Sequence, residues 1–267
     1  MSNPFYIKKP KGKRVPILVS VPHSGTEFPE DVKALIKPEL VNAPDDTDWF
    51  IHDLYDFVTD LGITMIHAKY SRWVIDLNRD PEGKPLYNDG RIITNACTST
   101  DFLGNKIYKS ELEQVGENEK NRRKALYFDP YYKKVTELLT DLKQEFGEVI
   151  FFDAHSIRHF VPTIRKDIFP DMILGNNDET SSKPKVISKA IEKLREGKYQ
   201  INHNNPFKGG FLTRTFGKPK NGIHALQLEM NKILYMDDKE LIYHPKRAKE
   251  VQNVLKPMFE ALIKEMA

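Results

Sequence analysis

The chain has 267 residues, 30% of them charged and 39% hydrophobic, ordinary proportions for a soluble globular protein with a substantial core. Its 41 basic and 38 acidic residues leave a formal net charge of +3 spread along the sequence, and no basic stripe is interleaved with aromatics, which argues against a nucleic-acid partner. No apolar run approaches the ~20 residues of a membrane span, and no signal-type apolar segment follows Met1. The lone Cys97 excludes an internal disulfide, so the expected setting is the reducing cytoplasm.

Strand-like and helix-like segments alternate from end to end, which is the pattern of an α/β sheet. Lys8–Arg14 is a short basic run and reads as a solvated arm. Val15–Val21 reads as a buried strand, and a loop rich in Pro and Asp follows to Thr47, with room for a short helix at Asp31–Leu40. In Asp48–Leu61 the apolar residues Phe50, Leu54, Phe57, Val58 and Leu61 fall on one helical face, and Gly62 is a natural C-cap. Ile63–Ala68 and Trp73–Leu77 read as the next two strands, and Asp80–Leu103 as an ordered loop. Asp129-Pro130 opens a helix that Gly147 ends, followed by the strand Val149–Asp153 and another at Asp171–Leu174. A helix at Lys185–Arg195 stops at Gly197, and the Gly-, Pro- and Asn-rich Asn204–Gly222 reads as a lid or binding loop before the strand Ile223–Leu228. Pro245–Met266 is amphipathic, with Pro257 expected to kink it. Without repeats or a linker, one domain over residues 1–267 is expected.

Three of the strand-like runs end on residues able to bind or work beside a metal: His23 after Val15–Val21, His155 after Val149–Asp153, and Glu229 after Ala225–Leu228. Ligands of open α/β sheets sit in the crevice beyond the carboxyl ends of the strands. Two histidines delivered there suggest a shared metal, and a carboxylate at the mouth of an apolar strand suggests a general base. Singly, each has an ordinary explanation, as a hydrogen-bonded histidine or a rim ion pair. Two carboxylates compete for a third metal position: Glu27, four residues past His23, and Asp48, which is also well placed to cap a helix. Arg72, Asn78 and Arg79 bracket an apolar run and suit a carboxylated ligand, because the guanidinium fork matches a carboxylate bidentately. Arg214, on the glycine-rich loop, is a further candidate cation. Cys97 has no local activating partner and reads as a plain thiol.

Taken together, several blocks resemble the N-formylglutamate amidohydrolase (formylglutamate deformylase) family over nearly the whole chain. They are Val21-Pro22-His23-Ser24-Gly25, Asp46-Thr47-Asp48-Trp49, Tyr70–Arg79, Lys84-Pro85-Leu86-Tyr87, Asp153–Arg158, Phe207–Gly210 and Gly222–Glu229. That family is similar to zinc carboxypeptidases and aspartoacylases, and Asp76-Leu77-Asn78-Arg79 resembles the carboxylate-binding segment of the latter. The resemblance implies an α/β fold with a mixed, mainly parallel sheet sandwiched by helices. It also implies a zinc ion held by His23, Asp48 and His155, Glu229 as catalytic base, and Asn78 and Arg79 on a substrate carboxylate, where Arg72 is expected to join them. The implied reaction is hydrolysis of N-formyl-L-glutamate to glutamate and formate, the last step of one histidine-degradation route. Asn95-Ala96-Cys97 and Thr215-Phe216 depart from the family pattern, in places expected to contact the acyl group or the substrate side chain. The alternatives are a deacylase of N-acetyl or N-succinyl glutamate or aspartate, and a metal-bearing binding protein without turnover.

Overall fold

The computed structural model describes residues 3–86, 95–109 and 114–266. Its centre is a seven-stranded sheet: β1 (Phe5–Lys8), β2 (Ile17–Val21), β3 (Thr64–Ala68), β4 (Val149–Ile157), β5 (Met172–Gly175), β6 (Ile201–His203) and β7 (Ile223–Asn231). The spatial order is β1-β3-β2-β4-β7-β5-β6. Only the β1–β3 and β5–β7 pairs are antiparallel, so the sheet is mixed and mainly parallel, as expected.

Helices cover both faces, which is why β2 and β4 are buried along their whole length and read as near-continuous apolar runs. Alternation sends Ile150, Phe152 and Ala154 of β4 and Leu226, Leu228 and Met230 of β7 into one core. There they meet α3 (Ile51–Leu54), α6 (Pro184–Leu194) and α8 (Pro245–Glu265). The opposite face packs Val149, Phe151 and Ala225 against α5 (Asp129–Phe146) and α7 (Phe211–Phe216). On that second face the same strands turn polar towards their carboxyl ends, at Asp153, His155, Gln227 and Glu229.

Several elements differ from the expectation. The segment 31–40 holds two short helices, α1 (Glu30–Lys33) and α2 (Pro38–Val41), and Asp48–Leu61 resolves into α3 and a 3-10 helix at Asp56–Leu61, ended by Gly62 at φ 83°. Trp73–Leu77 is not a strand. Its apolar residues bury in two directions, Trp73 and Val74 into a small separate core and Ile75 and Leu77 into the α5 side of the sheet. Its polar groups are taken by loops and side chains: Trp73 Nε1 donates to Asp46 (2.9 Å), Asp76 N to Ala96 O (2.7 Å), and Arg123 to Val74 O (3.1 Å).

The helix expected to open at Asp129 continues one already begun, as α4 (Glu117–Arg123) runs through a π-helical turn at Lys124–Phe128 into α5. The widened turn precedes Pro130, whose ring clashes with the carbonyl four residues earlier in a regular helix. β1 and β6 are additional edge strands, and β1 draws Lys8 out of the expected solvated arm onto Asp56 (2.8 Å). Residues 87–94 of the expected loop Asp80–Leu103 lie outside the described residues. Among the described residues, no helix is long and apolar enough to cross a membrane.

Candidate active site

β4 and β7 are paired so that His155 stands directly opposite Glu229, and Asp153 opposite Gln227. Both strands run past the residues expected to end them, so His155 and Glu229 are held inside the ladder and their side chains have little freedom. His23 follows β2, parallel to β4, and its carbonyl accepts from Asp48 N (3.0 Å), which brings the Asp48 loop over the sheet end. Gly25 keeps this turn close to its neighbour, because a Cβ there would lie 2.3 Å from Tyr70 O.

The structure brings His23, Asp48 and His155 together, with one ligand atom from each within 4.8 Å of the others. Both imidazoles turn Nδ1 towards Asp48 Oδ2, at 3.8 Å from His23 and 3.2 Å from His155. Their Nε2 atoms point away: His23 Nε2 is 2.8 Å from Asp76 Oδ1, and His155 Nε2 is 3.0 Å from both Asp153 Oδ2 and Asn78 Nδ2. An outer carboxylate behind each histidine is the support that fixes ring orientation in metal sites. Asp48 Oδ1 is buried without a hydrogen-bond partner among the described residues, and such orphaned acceptors are rare unless an ion or water answers them. Two imidazole nitrogens and a carboxylate are the donor set of a three-ligand zinc site, so the residues fit the ion.

The charges are strongly coupled. Burial, reinforced by the Arg72 cation, lowers the affinity of His23 for a proton. Burial also works against charged His155, but Asp153 and Asp48 outweigh it and hold the ring well above its ordinary value. Burial opposes ionisation of Asp76 too, yet Arg72 and His23 keep its carboxyl well below the usual range. Glu229 keeps some contact with cavity solvent, and burial, with Asp48 adding, pushes its carboxyl up to about 8 against the pull of His155 and Arg72.

This cluster floors a cavity of about 190 Å³. That is below the ~300–1,000 Å³ of drug-sized pockets and suits a small metabolite. His23, Asp48, Arg72, Asn78, Arg79, His155 and Glu229 all line it. Arg72 is already engaged: its NH2 donates to Asp76 Oδ2 (2.5 Å) and its guanidinium lies 4.7 Å from the Phe102 ring centroid. Arg79 is more open, with 30% of its side chain exposed and Nε 3.7 Å from Asp76 Oδ2. Asn78 is clamped at both ends, its Oδ1 accepting from Leu212 N (2.8 Å) and its Nδ2 reaching His155 and Gln227 Oε1 (3.3 Å). Only glycine fits beside it at 210, since a Cβ there would lie 2.3 Å from Asn78 Nδ2.

Arg214 does not line the cavity; it sits on α7 and donates to Gly209 O (3.0 Å). Glu27 is also elsewhere, half-exposed, 3.5 Å from Lys69 and accepting from Tyr6 (3.0 Å). The two departures from the family pattern lie off the cavity lining as well. Phe216 packs on Phe151 (5.1 Å between rings), and the Cys97 thiol, pushed up to about 11 by burial, faces Val74 O (3.7 Å). Sequence alone assigns no role to Asp76, Asp153 or Gln227. A signal existed for Gln227, which precedes Glu229 by two on one strand and so shares its face; Gln227 Oε1 accepts from Gly210 N (2.7 Å).

Residues 15–236 match the family model described as N-formylglutamate amidohydrolase. The chain is 38% identical to the N-formylglutamate deformylase of Pseudomonas aeruginosa over 256 residues, covering 95% of this chain and 94% of that protein. It is 36% identical to the Pseudomonas putida N-formylglutamate deformylase over 253 residues, with 94% and 93% covered. The crystal structure of N-formylglutamate amidohydrolase from Ralstonia eutropha JMP134 superposes with a TM-score of 0.80 at 25% identity, covering 98% of this chain and 97% of that one. The motifs, the sheet and these relatives agree, and the chain belongs to the N-formylglutamate amidohydrolase family.

Proposed function

We propose that this chain hydrolyses N-formyl-L-glutamate to formate and L-glutamate, with a zinc ion held by His23, Asp48 and His155. The register pair His155–Glu229, facing Asp48 and His23 inside a cavity that also holds Arg79, carries this proposal. Family membership and the deformylase relatives support the reaction, and the orphaned Asp48 Oδ1, with both histidine Nδ1 atoms aimed at the other oxygen of the same carboxylate, supports the metal. When bound, zinc supplies Lewis-acid polarisation of the formyl carbonyl and lowers the pKa of a water.

Every other element belongs to the chain. Glu229 takes a proton from the water that adds to the formyl carbon. As the C–N bond breaks, Glu229 returns that proton to the departing nitrogen. Arg72, locked on Asp76, offers its remaining N–H donors to charge developing on the carbonyl oxygen, at little cost in reorganisation. Arg79 holds a substrate carboxylate, and Asn78 fixes the glycine loop and His155 behind it. Asp76 and Asp153 keep the histidines oriented.

Release of the free amino acid from a panel of N-formyl, N-acetyl and N-succinyl derivatives of glutamate and aspartate tests the proposal. N-formylglutamate should exceed each of the others by at least about tenfold in kcat/KM, a difference of one or two contacts. Faster turnover of an acetyl or succinyl substrate would transfer the reading to that acyl group, and binding without turnover of any of them would contradict it.

A further inference from the structure

Two carboxylates on the substrate call for two cations, and the cavity wall offers three: Arg72, Arg79 and Lys84. Arg72 is committed to Asp76 at 2.5 Å and is almost fully buried. Lys84 is different. It is exposed at the cavity mouth and makes no hydrogen bond or ion pair among the described residues. The acids nearby are occupied in turns: Asp101 accepts from Leu103 N (2.9 Å), Asn105 N (2.8 Å) and Asn105 Nδ2 (2.9 Å), and Asp80 accepts from Glu82 N (2.8 Å).

The backbone also prepares Lys84. Gly83 N closes a turn on Asp80 O (3.0 Å) with Gly83 at φ 75°, a conformation that glycine adopts without strain. Pro85 then holds the residue before it in an extended conformation. The turn brings Lys84 and Pro85 to the cavity wall, which Phe102, Ile164 and Phe207 also line. Apolar side chains and an uncommitted ammonium on one cavity wall suit two methylenes ending in a carboxylate.

We infer that Lys84 binds the side-chain carboxylate of the substrate and sets the preference for a dicarboxylic amino acid, while Arg79 takes the α-carboxylate. This inference rests on the amidohydrolase reading and deepens it. The test compares N-formylglutamate with N-formylglutamine, which is nearly isosteric but neutral at the side chain. In Lys84→Met, kcat/KM for N-formylglutamate should fall about tenfold, the effect of one charged contact, while that for N-formylglutamine stays within about twofold. Lys84→Arg should restore most of the preference. An unchanged preference in Lys84→Met, or an equal loss on both substrates, would overturn the assignment and leave the reaction itself standing. Absence of turnover on both substrates by the unsubstituted protein would instead overturn the amidohydrolase reading on which it rests.

Discussion

His23, His155 and Glu229 were visible in sequence because each follows an apolar run, and a polar residue at such a point has few reasons to be there. Their meeting place was also legible, since adjacent parallel strands present their carboxyl ends together. Asp76 and Asp153 escaped assignment because an aspartate in a motif carries no mark of its partner; only the fold puts Asp76 Oδ1 2.8 Å from His23 Nε2. Glu229→Gln preserves size and removes the proposed base. Its kcat should fall by roughly 10²–10⁴, the usual contribution of general acid–base catalysis, with metal content unchanged. Parallel kinetics and metal analysis check this, and normal turnover would remove Glu229 from its role. Asp48→Ala should lose most of the metal, whereas Glu27→Gln should keep it, because Glu27 faces Lys69 and solvent. Metal analysis of both variants decides, and retention by Asp48→Ala would contradict the ligand set.

At the scale of elements, periodicity located the helices at 129–146, 184–194 and 245–265 because each buries one face on the sheet. It failed at Trp73–Leu77, where five consecutive residues look like a strand but are held by side chains distant in sequence. One of these is Arg123, fully buried on α4 and bonded to Val74 O, Tyr108 (3.2 Å) and Glu119 (2.8 Å). Glu119 accepts from Arg122 first and Arg123 second, and these bonds lower its carboxyl to about 2 from an ordinary value of 4.5. The folded state therefore binds this proton more weakly than the unfolded state. The stabilisation is complete above about pH 4.5 and disappears as the pH falls through about 2. Glu119→Gln should lower the unfolding midpoint at neutral pH, and its deficit should shrink as the pH falls towards 2. Denaturant titrations of both proteins across that range check the sign; a deficit independent of pH would contradict it.

For the whole molecule, the sheet order places a parallel core, β3-β2-β4-β7, between antiparallel edges. The parallel core was legible as alternating strands and helices. The edges β1 and β6 were not, because four and three residues leave too little pattern to distinguish them from loops. The consequence for function is that every proposed metal ligand and the base lie on or beside the rigid central strands, while Arg79 and Lys84 come from the loop above them. Chemistry is thereby separated from selectivity, and removing the metal should abolish turnover without unfolding the sheet. The most direct test is formate release from N-formylglutamate by chelator-treated protein, followed by zinc titration with circular dichroism recorded alongside. The account predicts that activity is lost with secondary structure intact and returns in proportion to zinc up to one equivalent per chain. Undiminished turnover in the metal-free protein would contradict it.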